Sequence, residues 1–217
     1  MISTRNLNNL PKPEALRLLM QSLAMLDAIL EAEWDYRYYS FNAKWSETEE
    51  MGSMRNGSGD DLFALFTSSG AFLRGFDHES PMSSWLTTPP KVWPDVLEHV
   101  PAEFSGALNE PAFHMEDTTF CIWCLTRDST WSKGSVAFPS GEDPDGSQRM
   151  LSELDGQPET YQAFAKDYFE LDVEVKAIAR VLAHEPLSAA LLGAFPSSRR
   201  LLDLLPEAEE IGYAVVC

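Results

Sequence analysis

Positive charge is what this chain has least of. Its 217 residues include 16 lysines and arginines against 34 aspartates and glutamates, a formal net charge of −18. The deficit is even: residues 1–110 carry 8 basic and 16 acidic side chains, and residues 111–217 carry 8 and 18. An acidic surface of this kind repels a phosphate backbone, so nucleic acid is not an expected partner. It attracts basic proteins. Cysteine is scarce too, and its count of 3 is odd. No disulfide framework follows, and a reducing compartment is expected. No run approaches the ~18 apolar residues of a membrane helix. The opening M-I-S-T-R-N-L-N-N-L-P has no apolar core of the kind that secretion signals need, so the expected location is the cytoplasm.

Catalytic signatures are missing as well. There is no G-x-x-x-x-G-K-[ST] phosphate loop and no G-x-S-x-G elbow around a nucleophilic serine. His184-Glu185 lacks the H-E-x-x-H spacing of zinc proteases, and Pro186 follows at once. Cys121 and Cys124 form a C-x-x-C without the second ligand pair that structural zinc requires. They fall in a predicted strand, where a spacing of three turns the sulfurs to opposite faces. Two core cysteines are expected, with neither metal nor disulfide. No cofactor motif is present.

What remains is ample material for a core, with 44% hydrophobic residues and six tryptophans. Leucines at 16, 19, 23, 26 and 30 predict a helix over residues 13–31, with Pro11 and Pro13 at its start. Strands are expected over 36–41, 62–66, 71–76, 120–125 and 135–138, where β-branched and aromatic residues concentrate. Ser68-Ser69-Gly70 joins two of them as a hairpin. Asn56-Gly57-Ser58-Gly59 reads as a structural turn that Asn56 and Asp60 cap themselves. Residues 44–54 read as a short helix or connector, and residues 92–97 as another short helix. The stretch 139–147, P-S-G-E-D-P-D-G-S, is the strongest break in the chain. Beyond it the period is helical over 148–154, 159–169 and 173–184, then over 187–192 and 199–205. Residues 211–216 suit a last strand or a packed tail. The fold class is therefore α+β: a mostly antiparallel sheet with an N-terminal helix packed on it and a C-terminal helical region. In domain terms, residues 1–138 form the sheet region, 139–147 a linker loop and 148–217 the helical region.

Two constellations carry possible chemistry. Asp60 and Asp61 open one hairpin strand, and Asp77, His78 and Glu79 leave its partner. These five side chains could meet at one end of the hairpin, as metal ligands or as an acid–base group. The plainer alternative is a set of polar residues that ends a hairpin. Residues 142–174 hold ten acids against Arg149 and Lys166, the densest charge in the chain. That stretch is either a solvated helical face or a dock for a basic protein, with Glu142, Asp143 and Asp145 as loop contacts.

The run E-W-D-Y-R-Y-Y-S-F-N-A-K-W, followed by M-R-N-G-S-G-D-D and G-F-D-H-E-S, resembles an uncharacterised bacterial protein family of unknown function. Residues 33–80 carry the resemblance, and the E-I-G-Y at 210–213 extends it. It implies no activity and assigns no residue a role. The acidic α+β character is also similar to that of bacterial immunity proteins, which neutralise toxins. The leading expectation is a non-enzymatic protein-binding protein, immunity-like or regulatory. The alternative is a metal-dependent hydrolase built on Asp60, Asp61, Asp77, His78 and Glu79.

Overall fold

The structure, a computed structural model, describes residues 1–216. Helix α1 (Pro13–Leu30) is the element to which most others attach. Pro13 takes its first position, where a missing N–H costs nothing. Leu16, Leu23, Leu26 and Ile29 are all buried. Burial extends round the helix because it touches the sheet through the first strand and the later helices on other sides.

The sheet has six strands in chain order, every neighbouring pair antiparallel. They are β1 (Tyr39–Asn42), β2 (Glu49–Arg55), β3 (Asp61–Thr67), β4 (Gly70–Phe76), β5 (Phe120–Leu125) and β6 (Ser132–Lys133). Leu62, Ala64, Phe66, Leu73 and Ile122 face α1 and the C-terminal helices. Leu65, Phe72, Cys121 and Trp123 face Met82, Phe104 and Phe113 of the irregular segment 77–119. Both faces of the sheet are thus covered. This explains why β4 and β5 are apolar without alternation. Cys121 and Cys124 join opposite clusters, as their spacing requires.

The helical region comprises α2 (Ser147–Leu151), α3 (Pro158–Tyr168), α4 (Val175–Leu182), α5 (Ala189–Leu192) and α6 (Leu201–Ile211). Leu154, Tyr161, Ile178 and Leu204 enter the same apolar cluster as α1.

Several expectations fail for local reasons. The aromatic strand begins at Tyr39, not Tyr36, because residues 34–36 form a 3₁₀ turn that leaves Tyr36 exposed. The connector predicted over 44–54 contains strand β2. Its E-E-M-G-S-M-R lacks an alternating apolar pattern, since Gly52 replaces a side chain where α1 crosses close. A Cβ there would stand 2.7 Å from Met20 Cε. The strand predicted over 135–138 is absent, and β6 ends at Lys133. The chain leaves the sheet at Gly134, whose backbone lies against that of Asp95. Residues 92–97 form turns rather than a helix, with Pro94 inside and Asp95 at φ 66°. Residues 211–216 form no strand, only a single bridge between Leu187 and Val215. Helix α6 runs through Pro206 to Ile211, beyond the predicted end.

Two ionisable side chains sit at the centre of this packing. Arg74, wholly buried on β4, pairs with Asp61 and donates to the carbonyls of Phe113 and His114. It fastens the irregular segment to the sheet. Asp27, wholly buried on α1, accepts the backbone N–H of Tyr38 at 2.9 Å and of Tyr39 at 2.8 Å. Its other oxygen meets the Tyr161 hydroxyl at 2.7 Å. One carboxyl group therefore joins α1, the start of β1 and α3. Burial pushes its pKa up to about 7, against the pull of those donors.

Leu23 is 2% exposed, so Leu23→Ala should cost about 2–5 kcal/mol in chemical unfolding. A loss below about half a kcal/mol would mean the face is not packed. Asp27 gives a pH signature. Its folded pKa lies above the ordinary carboxyl value, so the folded state holds a proton that the unfolded chain releases. The stabilisation is fully present below about pH 4 and is lost as pH rises through about 7. Asp27→Asn keeps the shape and removes the titration. Its unfolding free energy should fall less than that of the wild type between those limits, and parallel pH profiles would contradict the assignment.

Candidate functional site

The hairpin end assembles three of its five predicted residues. Strand parity decides which. Asp60 and Asp77 extend toward the helical side of the sheet, in phase with Leu62 and Leu73. Asp61 falls on the opposite face, where it is the partner of Arg74. A single step along the strand thus removes Asp61 from the group. Glu79 is exposed and contributes a backbone N–H, which donates to Asp77 Oδ1 at 2.9 Å. Asp60, Asp77 and His78 each present a ligand-type atom, and the three atoms lie within 4.8 Å of one another.

Asp60 is the centre of the group and is 8% exposed. Its Oδ1 accepts the His78 backbone N–H at 3.0 Å and lies 2.7 Å from His78 Nδ1. Its Oδ2 accepts Asn56 Nδ2 at 2.6 Å and Arg149 Nη2 at 2.8 Å. Arg149 Nη2 also reaches Asp77 Oδ2 at 3.1 Å. The turn makes this possible: Asn56 Oδ1 accepts the N–H of Ser58 and of Asp60 and fixes where the Asp60 carboxylate points. Gly146, at φ 74°, lets the chain before α2 pass against Asp77. A Cβ there would stand 2.4 Å from the Asp77 side chain.

The electrostatics follow from these contacts. Burial works to raise the pKa of Asp60, but the two bonds from His78, the charge of Arg149 and the Asn56 amide outweigh it. The result lies below the ordinary carboxylate range. The Asp60 carboxylate in turn holds the His78 imidazolium above its ordinary value. Chemically the arrangement is a closed ion-pair junction. Both carboxylates already share a guanidinium, and all the lone pairs of Asp60 that face the protein have donors. A divalent ion would have to displace Arg149 or sit beside its charge. The neighbouring depression, 490 Å³ and lined by Asp77, Glu142, Arg149 and Ser152 among others, is open to solvent.

The three predicted loop contacts separate. Glu142 is exposed. Asp143 accepts the N–H of Gln148 at 2.9 Å and of Arg149 at 3.0 Å, so it caps α2. Asp145 is 2% exposed and accepts the Thr4 hydroxyl, with the Ser147 hydroxyl and N–H on its other oxygen. Of the three expected loop contacts, Asp145 is therefore closed to a partner by burial, and Asp143 is engaged with the start of α2.

Sequence reasoning missed Arg149, which stands in the sequence as one of two cations in an acidic stretch. It also missed Trp85 and Asp117. Trp85 Nε1 donates to Asp117 Oδ1 at 2.9 Å, and the Trp85 ring lies 6.2 Å from that of His78. A tryptophan within the Ser- and Pro-rich stretch 81–90 was the available signal.

No protein-family model matches the chain, and no curated protein or solved structure matches it. Among the described residues, no helix is long and apolar enough to cross a membrane.

The His78 ring reports on the junction directly. Its pKa, followed by NMR, should lie above about 6.5, and Asp60→Asn should return it toward that value. The stabilisation it brings is present below about pH 6.5 and fades as pH rises through the folded pKa. Zinc or manganese at millimolar concentration should leave the ring resonances in place. Saturable shifts or broadening at stoichiometric metal would show an ion site instead.

Proposed function

We propose that the protein is a non-enzymatic binding protein, immunity-like or regulatory in character, and that its partner is a basic protein. One observation carries this reading: the buried acids are already satisfied within the fold, whereas the exposed acids of 142–174 are not. Asp27, Asp60, Asp61 and Asp145 have donors within the fold. Of the ten acids in 142–174, Glu142, Glu159, Asp167, Glu170, Asp172 and Glu174 are exposed. Among the described residues, no ion pair uses any of those six. Unpaired surface charge of one sign steers association with an opposite partner. It also favours solubility, and the test must separate the two.

The second reading, a metal-dependent hydrolase, has the convergence of Asp60, Asp77 and His78 in its favour. Against it stands Arg149, whose guanidinium holds the place that a cation would take.

The test is capture from native-host lysate on the immobilised chain, followed by kinetics with the retained protein. The partner should be basic. Its association rate should fall steeply between 0.1 M and 1 M salt, as the Debye length shrinks from about 10 Å to about 3 Å. Reversal of Glu142, Glu170, Asp172 and Glu174 to lysine should slow association at least about tenfold and leave thermal unfolding unchanged, since these side chains are exposed. A partner indifferent to both salt and reversal would leave the charge with a solubility role alone.

A further inference from the structure

We infer that Trp85 and Leu86 anchor the docking surface, and that they receive an arginine- or lysine-rich segment of the basic partner. The inference rests on the binding reading above and adds its location and recognition chemistry.

Trp85 is 56% exposed and Leu86 67% exposed. Yet the Trp85 ring is not loose. Its Nε1–H is held by Asp117 Oδ1, and the Ser84 hydroxyl donates to the same oxygen at 2.8 Å. One edge packs against Phe76 at a centroid distance of 4.9 Å. A rigid aromatic with an open face is what an interface anchor needs, because little side-chain entropy is left to lose on binding. Tyr36 is exposed and, among the described residues, no ring or side-chain hydrogen bond holds it; two further exposed rings are already engaged. Arg55 already lies 4.0 Å from the centre of the Trp34 ring. Tyr168 packs on Tyr38, Phe164 and Phe169. Among the described residues no lysine or arginine covers Trp85.

The surroundings select the occupant. Asp117 holds the indole, and exposed Glu116 precedes it. Asp77 and Glu79 flank His78, whose ring lies beside Trp85. Asp77 in turn shares the open depression with Glu142. The positive groups beside these acids are His78, Arg149 and Arg74, each engaged by a carboxylate, and His114, 3.7 Å from Glu116. An incoming guanidinium or ammonium would stack on the indole face, with these carboxylates around it. The methylene stem of that side chain would lie on Leu86. An acidic or purely apolar segment would meet the same carboxylates unpaired.

A random peptide library displayed on phage, selected on the full chain at low salt, tests this. Enriched peptides should be rich in arginine and lysine. A synthetic copy of the best one should bind Trp85→Ala at least about tenfold more weakly, mainly through faster dissociation. Leu86→Ser should act in the same direction. Tyr36→Ala, 67% exposed in the wild type, should have no effect. Because Trp85→Ala removes a hydrogen bond to Asp117, its thermal unfolding is compared with wild type, and Leu86→Ser decides if the fold is disturbed. Basic peptides that bind both Trp85→Ala and Leu86→Ser as tightly as wild type would overturn this anchor and leave the binding reading intact. Enrichment without basic residues would overturn both.

Discussion

The carboxyl group of Asp27, sealed in the core with its donors, is the constraint on which the arrangement of α1, β1 and α3 depends. A lone acid in an apolar helix costs several kcal/mol unless donors reach it. Here two backbone N–H groups and a tyrosine hydroxyl do. Those donors come from two separate parts of the chain, the start of β1 and α3, so the acid on α1 is satisfied only when all three meet in one geometry. Its pKa near 7 reflects burial that its donors do not fully offset. A shifted pKa at a cavity would suggest catalysis. Asp27 is wholly buried, and its contacts fix the register between α1, β1 and α3.

The same rule repeats outward. Asp61 is met by Arg74 on the loop face of the sheet, Asp60 and Asp77 by Arg149 on the helical face, and Asp145 by Thr4 and Ser147 beneath α2. Each junction links segments far apart in sequence. Two arginines, Arg74 and Arg149, stand where acids are buried or partly buried, while Arg17 and Arg200 pair with exposed acids. Charge left unmatched lies at the surface, the exposed acids of 142–174 among it. The junction at the hairpin end belongs with the internal contacts, although its residue types suggested a metal or acid–base group.

Much of the fold was legible because it depends on local patterns. The leucine spacing of α1, the 62–76 hairpin and the C-x-x-C parity all follow from periodicity, and all appear in the structure. Strand β2 was not legible, since Gly52 is there to admit Met20 of a helix thirty residues earlier. The site was half legible. That Asp60 lies near Asp77 and His78 follows from hairpin geometry. That Arg149 closes the group does not, because it depends on how the chain before α2 returns past Gly146. The separate fates of Glu142, Asp143 and Asp145 are tertiary in the same sense: three acids within four residues are exposed, capping and buried.

The central claim is that the carboxylate–histidine group is an ionic junction that holds the fold, and Arg149→Met tests it most directly. Arg149 is 45% exposed and Asp60 8% exposed, so the loss should lie between that of a surface pair and a buried one, about 1–3 kcal/mol in chemical unfolding. Divalent metal should restore little of it. Stability equal to wild type without metal, or full recovery with stoichiometric zinc or manganese, would contradict the account and return the group to the hydrolase reading.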